Sequence, residues 1–179
     1  MSEAISAVRQ CDTLLLSNYL LTDASNVQQD AALAIKDGKI AALGDRNHIA
    51  QIWKAANTLE LGNSLLMPGL INAHTHAAMT FLRGKADDLP LLEWLENTVF
   101  PAEKRLDSEI VELGTMLGHA EMLASGTVAC IDMYIFEEAV FHAAQRTGIR
   151  CMGGEAVFAF PSAACPSWRE ALERTAALP

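Results

Sequence analysis

Two histidines separated by one residue, His74 and His76, close the run Leu66-Met67-Pro68-Gly69-Leu70-Ile71-Asn72-Ala73-His74-Thr75-His76. Side chains at i and i+2 of a strand project from one face, so both imidazoles can aim at one ion while Thr75 turns away. Neutral imidazole suits Zn2+, Fe2+, Ni2+ and Co2+ alike, so the spacing points to a metal site more than to a particular metal. A bare His-x-His also occurs as two polar residues at the end of a strand, and the surrounding sequence has to decide between the two.

That surrounding sequence is distinctive. Pro68-Gly69 precedes the pair, and Ala77-Ala78-Met79-Thr80-Phe81-Leu82-Arg83-Gly84 follows it. Further on come Asp87-Asp88-Leu89, Glu93-Trp94-Leu95, Phe100-Pro101-Ala102-Glu103-Lys104-Arg105-Leu106, Glu121-Met122-Leu123-Ala124-Ser125-Gly126-Thr127 and Asp132-Met133-Tyr134. In these segments the chain resembles the amidohydrolase superfamily, metal-dependent hydrolases built on a (β/α)8 barrel. Within it, the likeness is to the branch of methylthioadenosine/S-adenosylhomocysteine deaminases and triazine chlorohydrolases, over most of residues 12–160.

The resemblance implies that His74 and His76 ligate one divalent metal ion, Zn2+ foremost with Fe2+ as the other choice. Two histidines and an aspartate on later barrel strands complete the site in the family. The implied reaction is hydrolytic deamination, or a similar displacement, at a ring carbon of an aminopurine nucleoside or related N-heterocycle, by water whose pKa the ion lowers. A triazine-type chlorohydrolase or another ring aminohydrolase is the alternative activity, and a non-catalytic truncated chain is the alternative of a different class. By the same resemblance Glu103 accepts hydrogen bonds from ribose hydroxyls, although a glutamate ahead of Lys104-Arg105 also reads as half of a surface ion pair. Where some adenosyl-deaminating relatives carry a ligand-contacting arginine, this chain has Gly153-Gly154-Glu155, a reversed charge. The other deaminase zinc motif, His-x-Glu with Pro-Cys-x-x-Cys, is absent. The general acid and base are expected outside these residues, and none is assigned here.

Other residues invite weaker readings. Met79, Phe81, Leu82 and Trp94 could wall a pocket for an aromatic ring or fill a core, and Arg83 reads as structural. Asp132, at the end of a strand, could orient a histidine or make buried structural hydrogen bonds. His48 is assigned to the β unit, and His119 and His142 to exposed helix faces, none of them as a metal ligand. Cys11, Cys130, Cys151 and Cys165 show no Cys-x-x-Cys spacing and read as reduced thiols of a cytoplasmic protein.

Thirteen basic against 22 acidic residues, a formal charge of −9, leave no basic stripe to neutralise phosphates, which argues against nucleic acid. The apolar stretch from Leu14 to Leu21 is interrupted by Ser17 and Asn18 and is too short to span a bilayer, which argues against a membrane segment. The expected partner is a small-molecule substrate, with a homo-oligomer possible in the complete protein.

The elements that must position these residues follow from periodicity. Apolar and polar residues alternate from Ala31 to Gly44 around Asp37-Gly38, the sequence of a two-residue hairpin. With strands at Thr13–Leu16 and Thr58–Leu61, residues 1–64 read as a small β unit, which the resemblance implies is part of a β-sandwich. From Leu65 the rhythm becomes strand, loop, helix, the order of βαβ units, and the resemblance implies that residues 65–179 are part of a barrel. A helix capped by Asp107 or Ser108 is expected to bury Ile110, Leu113, Leu117, Ala120 and Ala124, and to stop at Gly126. A strand over Thr127–Met133, a helix over Glu137–Thr147, a strand over Arg150–Phe158 and the start of a helix over Ser167–Leu178 complete the series. A (β/α)8 barrel takes about 250 residues, roughly 30 per βα unit, and about 115 follow the β unit. About three of eight strands are therefore expected. On this reading the sequence is an N-terminal fragment of a protein of more than roughly 400 residues, without activity by itself.

Overall fold

The computed structural model describes residues 8–86 and 88–178; Asp87 of the Asp87-Asp88-Leu89 segment lies outside the described residues. The fold is mixed α/β and divides into two compact units, Met1–Pro68 and Gly69–Pro179.

The first unit contains β1 (Arg9–Asp23), β2 (Asn26–Lys36), β3 (Lys39–Asp45), a short helix α1 (Arg46–Ile52) and β4 (Trp53–Leu66). The sheet order is β3-β2-β1-β4, antiparallel except for the parallel pair β1 and β4. Lys36 faces Lys39 across the predicted hairpin, and Asp37 and Gly38 both take positive φ (51° and 69°). A two-residue turn of this hand needs that conformation, which glycine adopts freely and aspartate tolerates. Cys11, Leu14, Leu16, Ala32, Ala34, Ile49 and Trp53 form the core. The strands run well beyond the expected cores, and α1 was not foreseen. Its signal is Asp45, whose carboxylate accepts the His48 N–H at 2.9 Å and caps the helix, leaving the His48 side chain exposed.

The second unit opens with β5 (Leu70–Thr75) and a 3-10 turn (Ala77–Leu82). There follow α2 (Leu91–Trp94), a π turn (Leu95–Val99), α3 (Phe100–Glu103), α4 (Ser108–Ala124), β6 (Thr127–Tyr134), α5 (Glu137–Thr147), β7 (Arg150–Glu155) and α6 (Trp168–Ala177). The strands form a parallel sheet, β5-β6-β7, with helical crossovers between neighbours. Local chemistry sets the helix ends: Asp107 accepts the Ile110 N–H at 2.9 Å, Ser167 caps α6, and Gly126 and Gly148 take positive φ at the ends of α4 and α5. The third strand ends at Glu155, short of the expected Phe158.

Helix α4 presents the face opposite to the one expected. Ile110, Leu113 and Leu117 are exposed, Leu113 by 58%, and Ala120 and Ala124 also face out. The buried residues are Val111, Gly114, Thr115, Gly118 and His119. Close approach explains the inversion. A Cβ on Gly114 would meet the Ala78 carbonyl oxygen at 2.6 Å, and one on Gly118 the Ala77 carbonyl oxygen at 2.8 Å. The glycines let α4 lie directly on the backbone of the 3-10 turn, with the Thr80 hydroxyl donating to the Gly114 carbonyl at 2.8 Å. Backbone contact outcompetes the apolar stripe here.

Glu155 is buried at the N-terminus of α5, where its carboxylate accepts the N–H groups of Phe136 and Glu137 at 2.9 Å each. Its charge is spent on the helix end, a placement the dipole favours. On the sheet, Ile71, Ile131, Met133 and Met152 remain exposed, Ile71 and Met152 by 70% and 68%.

Candidate metal centre

His74 ends β5 together with Thr75, and His76 is the first residue past it. Their rings meet edge to face with centroids 5.1 Å apart. The neighbouring strand supplies the orientation. His76 Nδ1–H donates to the Met133 carbonyl oxygen at 2.6 Å, and since a carbonyl can only accept, the proton sits on Nδ1 and the Nε2 lone pair is free. One residue on, the Ala77 N–H donates to Asp132 Oδ2 at 2.9 Å. The end of β6 thus holds both the imidazole and the backbone that carries it, and α4 clamps the following turn from the other side.

Burial pushes the Asp132 carboxyl up to about 6, and its Oδ1 has no hydrogen-bond partner among the described residues. Asp132 therefore fixes the backbone beyond His76 rather than a histidine tautomer, a task that falls to the Met133 carbonyl.

Glu103, the last residue of α3, is buried and forms no ion pair among the described residues, so the surface-pair reading with Lys104 or Arg105 does not hold. Burial raises its pKa, while the neighbouring Tyr134 hydroxyl and His76 imidazole act in the opposite direction. The Tyr134 ring stands 6.4 Å from that of His76, and burial beside Glu103 pushes its hydroxyl far up. His74, His76, Glu103, Asp132 and Tyr134 thus come together. Tyr134 was not singled out from sequence beyond its place in Asp132-Met133-Tyr134.

Other candidates go elsewhere. Arg83 forms an exposed two-pronged pair with Glu121, at 3.1 and 2.6 Å. Trp94 Nε1–H donates to the Lys85 carbonyl at 3.0 Å, Met79 and Phe81 pack on the core, and Leu82 is buried. His142 is exposed on α5 as expected. His119 is not: it lies on the glycine face of α4 and is fully buried, against the expectation of an exposed position.

Two imidazoles, one with its tautomer fixed, suit a borderline-soft divalent ion and could supply two of the four ligands of a tetrahedral site. A sequence profile described as "Amidohydrolase family" matches residues 65–177. The chain belongs to the amidohydrolase family. Among amidohydrolase relatives, a 5-methylthioadenosine/S-adenosylhomocysteine deaminase of Desulfovibrio desulfuricans is 50% identical over 173 residues, covering 96% of this chain and 39% of the relative. An adenosine deaminase from Xanthomonas campestris, solved with bound zinc, superposes with a TM-score of 0.87 at 35% identity, over 93% of this chain and 39% of that one. A zinc complex of atrazine chlorohydrolase from Arthrobacter aurescens superposes with a TM-score of 0.68 at 19% identity, over 80% and 35%, and shares the fold alone. The chain spans about two fifths of the length of the deaminases it matches. No helix among its described residues is long and apolar enough to cross a membrane.

Proposed function

We propose that this chain is the N-terminal part of a metal-dependent hydrolase that removes an amino group from an aminopurine nucleoside of the methylthioadenosine, S-adenosylhomocysteine or adenosine type. In this reading residues 65–179 supply the first three strands of a (β/α)8 barrel, β5 to β7, and residues 1–64 supply part of an accompanying β-sandwich. His74 and His76 hold one divalent ion, zinc in keeping with the zinc-bound adenosine deaminase that the chain resembles. The remaining ligands and the groups that move protons come from later barrel strands, so this chain alone is inactive.

The observation that carries the reading is the 50% identity to a curated deaminase across the stretch that brings His74, His76 and Glu103 together. When bound, the ion supplies a water whose pKa is lowered toward neutrality. The chain's own residues do the positioning. The Met133 carbonyl holds the His76 proton on Nδ1, Asp132 holds the turn, and Glu103 accepts hydrogen bonds from the sugar hydroxyls. Burial around Glu103 strengthens those bonds, because water competes poorly there.

The test is a chimera in which residues 9–178 replace the matching stretch of the Desulfovibrio desulfuricans relative. Ammonia release from methylthioadenosine, lost on His74→Ala or His76→Ala, is the expected result. A folded, zinc-loaded chimera that releases no ammonia from any aminopurine nucleoside overturns the reading.

A further inference from the structure

Behind the sheet lies a second group of metal-binding side chains. Cys130 of β6 and Cys151 of β7 are register partners on adjacent parallel strands, and His119 reaches them from α4. One donor atom from each, two sulfurs and an imidazole nitrogen, all lie within 4.8 Å of one another. His119 Nε2 and Cys130 Sγ are 3.8 Å apart. A zinc ion with Zn–S of about 2.3 Å and Zn–N of about 2.0 Å places such atoms about 3.6 Å apart at a tetrahedral angle. Closing the trio around an ion therefore needs shifts of about 1 Å or less.

The orientation of His119 adds an independent observation. The Thr147 hydroxyl has one proton and donates it to the Ala143 carbonyl at 2.9 Å. Toward His119 Nδ1, 3.3 Å away, it can then only accept. Nδ1 carries the hydrogen, and the Nε2 lone pair points at the sulfurs, the arrangement in which outer partners fix metal-binding histidines. Ala144 and Ile149 wall the cluster, and Met122 packs against it. Among the described residues this is the one group of three such side chains close enough to hold an ion, and it contains no carboxylate. Two thiolates and an imidazole select soft ions over Mg2+, Ca2+ or Mn2+. Half-buried Cys151 gives the cluster its opening to solvent.

We infer that His119, Cys130 and Cys151 form a second metal site, for a thiophilic d10 ion such as Zn2+ or Cu+, separate from His74 and His76. Binding forms two metal–sulfur bonds and one metal–nitrogen bond, and the thiol protons pass to solvent.

The experiment uses the reduced, metal-free 179-residue chain. One equivalent of Cd2+ should produce thiolate-to-metal absorption in the near ultraviolet. The signal should survive in the His74→Ala/His76→Ala double variant and vanish in Cys130→Ala and in Cys151→Ala. Because core substitutions can unfold the chain, a second measurement needs no variant: saturating Cd2+, or Cu+ in a parallel arm, should slow alkylation of Cys130 and Cys151 at least tenfold and leave Cys11 and Cys165 unchanged. Protection by Cd2+ alone assigns the zinc type, and protection by Cu+ alone the copper type. Unchanged alkylation of Cys130 and Cys151 with both ions overturns the proposal and leaves a buried S–H···N hydrogen bond. Protection that persists in denaturant overturns it as well.

Discussion

His76 donates its Nδ1 proton to the carbonyl oxygen of Met133 at 2.6 Å, so the aim of one strand's imidazole is set by the backbone of the next. Replacing the Met133 side chain leaves that acceptor in place, whereas removing either imidazole removes, on the proposed function, a direct bond to the ion. In the chimera, His74→Ala and His76→Ala should each lower zinc affinity by more than the about 10–100-fold that loss of a supporting partner costs. Elemental analysis after dialysis checks this, with Met133→Leu retaining its zinc as the control.

Glu103 tests the substrate class. If it accepts bonds from a ribose diol, Glu103→Ala in the chimera should lower kcat/KM for a ribonucleoside about 10- to 100-fold per charged hydrogen bond, and far less for a 2′,3′-dideoxynucleoside. Equal losses on the two substrates assign Glu103 to structure alone.

The glycine face of α4 gives a prediction of opposite sign to helix propensity. Alanine favours a helix interior over glycine by about 1 kcal/mol, yet Gly114→Ala and Gly118→Ala should destabilise the chain, because overpacking costs about 1–3 kcal/mol. A net loss of up to about 2 kcal/mol in denaturant unfolding is expected. Leu117→Ala, on the exposed face of the same helix, should cost less than about 0.5 kcal/mol. Reversed effects mean that α4 packs by its apolar stripe after all.

Glu137 makes stability fall with rising pH. Its carboxyl is fully buried, with Oε2 accepting the Tyr134 N–H at 3.0 Å and Oε1 without a partner among the described residues. Burial first, and then the Asp132 charge, push it from an ordinary 4.5 up to about 9. The unfolded chain releases this proton near 4.5 and the folded chain keeps it until about 9. The contribution is therefore whole below 4.5 and is lost as pH rises through that window. Denaturant midpoints measured from pH 5 to 9 should decline, and Glu137→Gln, which cannot ionise, should flatten the decline.

The open sheet predicts the behaviour of the isolated chain. Ile71, Ile131, Met133 and Met152 are exposed on a three-stranded sheet whose edge strands β5 and β7 each have one side unpaired among the described residues, and Ile110, Leu113 and Leu117 line an uncovered helix face. Such surfaces promote association. Light scattering coupled to size exclusion should find the 179-residue chain self-associated, and a monodisperse monomer contradicts this.

What the sequence determined by itself is local or carried by side-chain type. The turn at Asp37-Gly38 follows from the positive φ it needs, the ends of α4 and α5 from Asp107, Gly126 and Gly148, and the meeting of His74 and His76 from their spacing at the end of a strand. These require only a few neighbouring residues, whose identities report the physics directly. The tertiary structure alone decided which face of α4 is buried, and with it the burial of His119 beside Cys130 and Cys151. Apolar spacing says that a helix has a stripe, but not whether two glycines will bring it against another backbone first. The tertiary structure also decided that a Met133 carbonyl orients His76 and that Glu155 caps α5. Every residue has a carbonyl, so no side-chain pattern announces which one a histidine will find across a sheet.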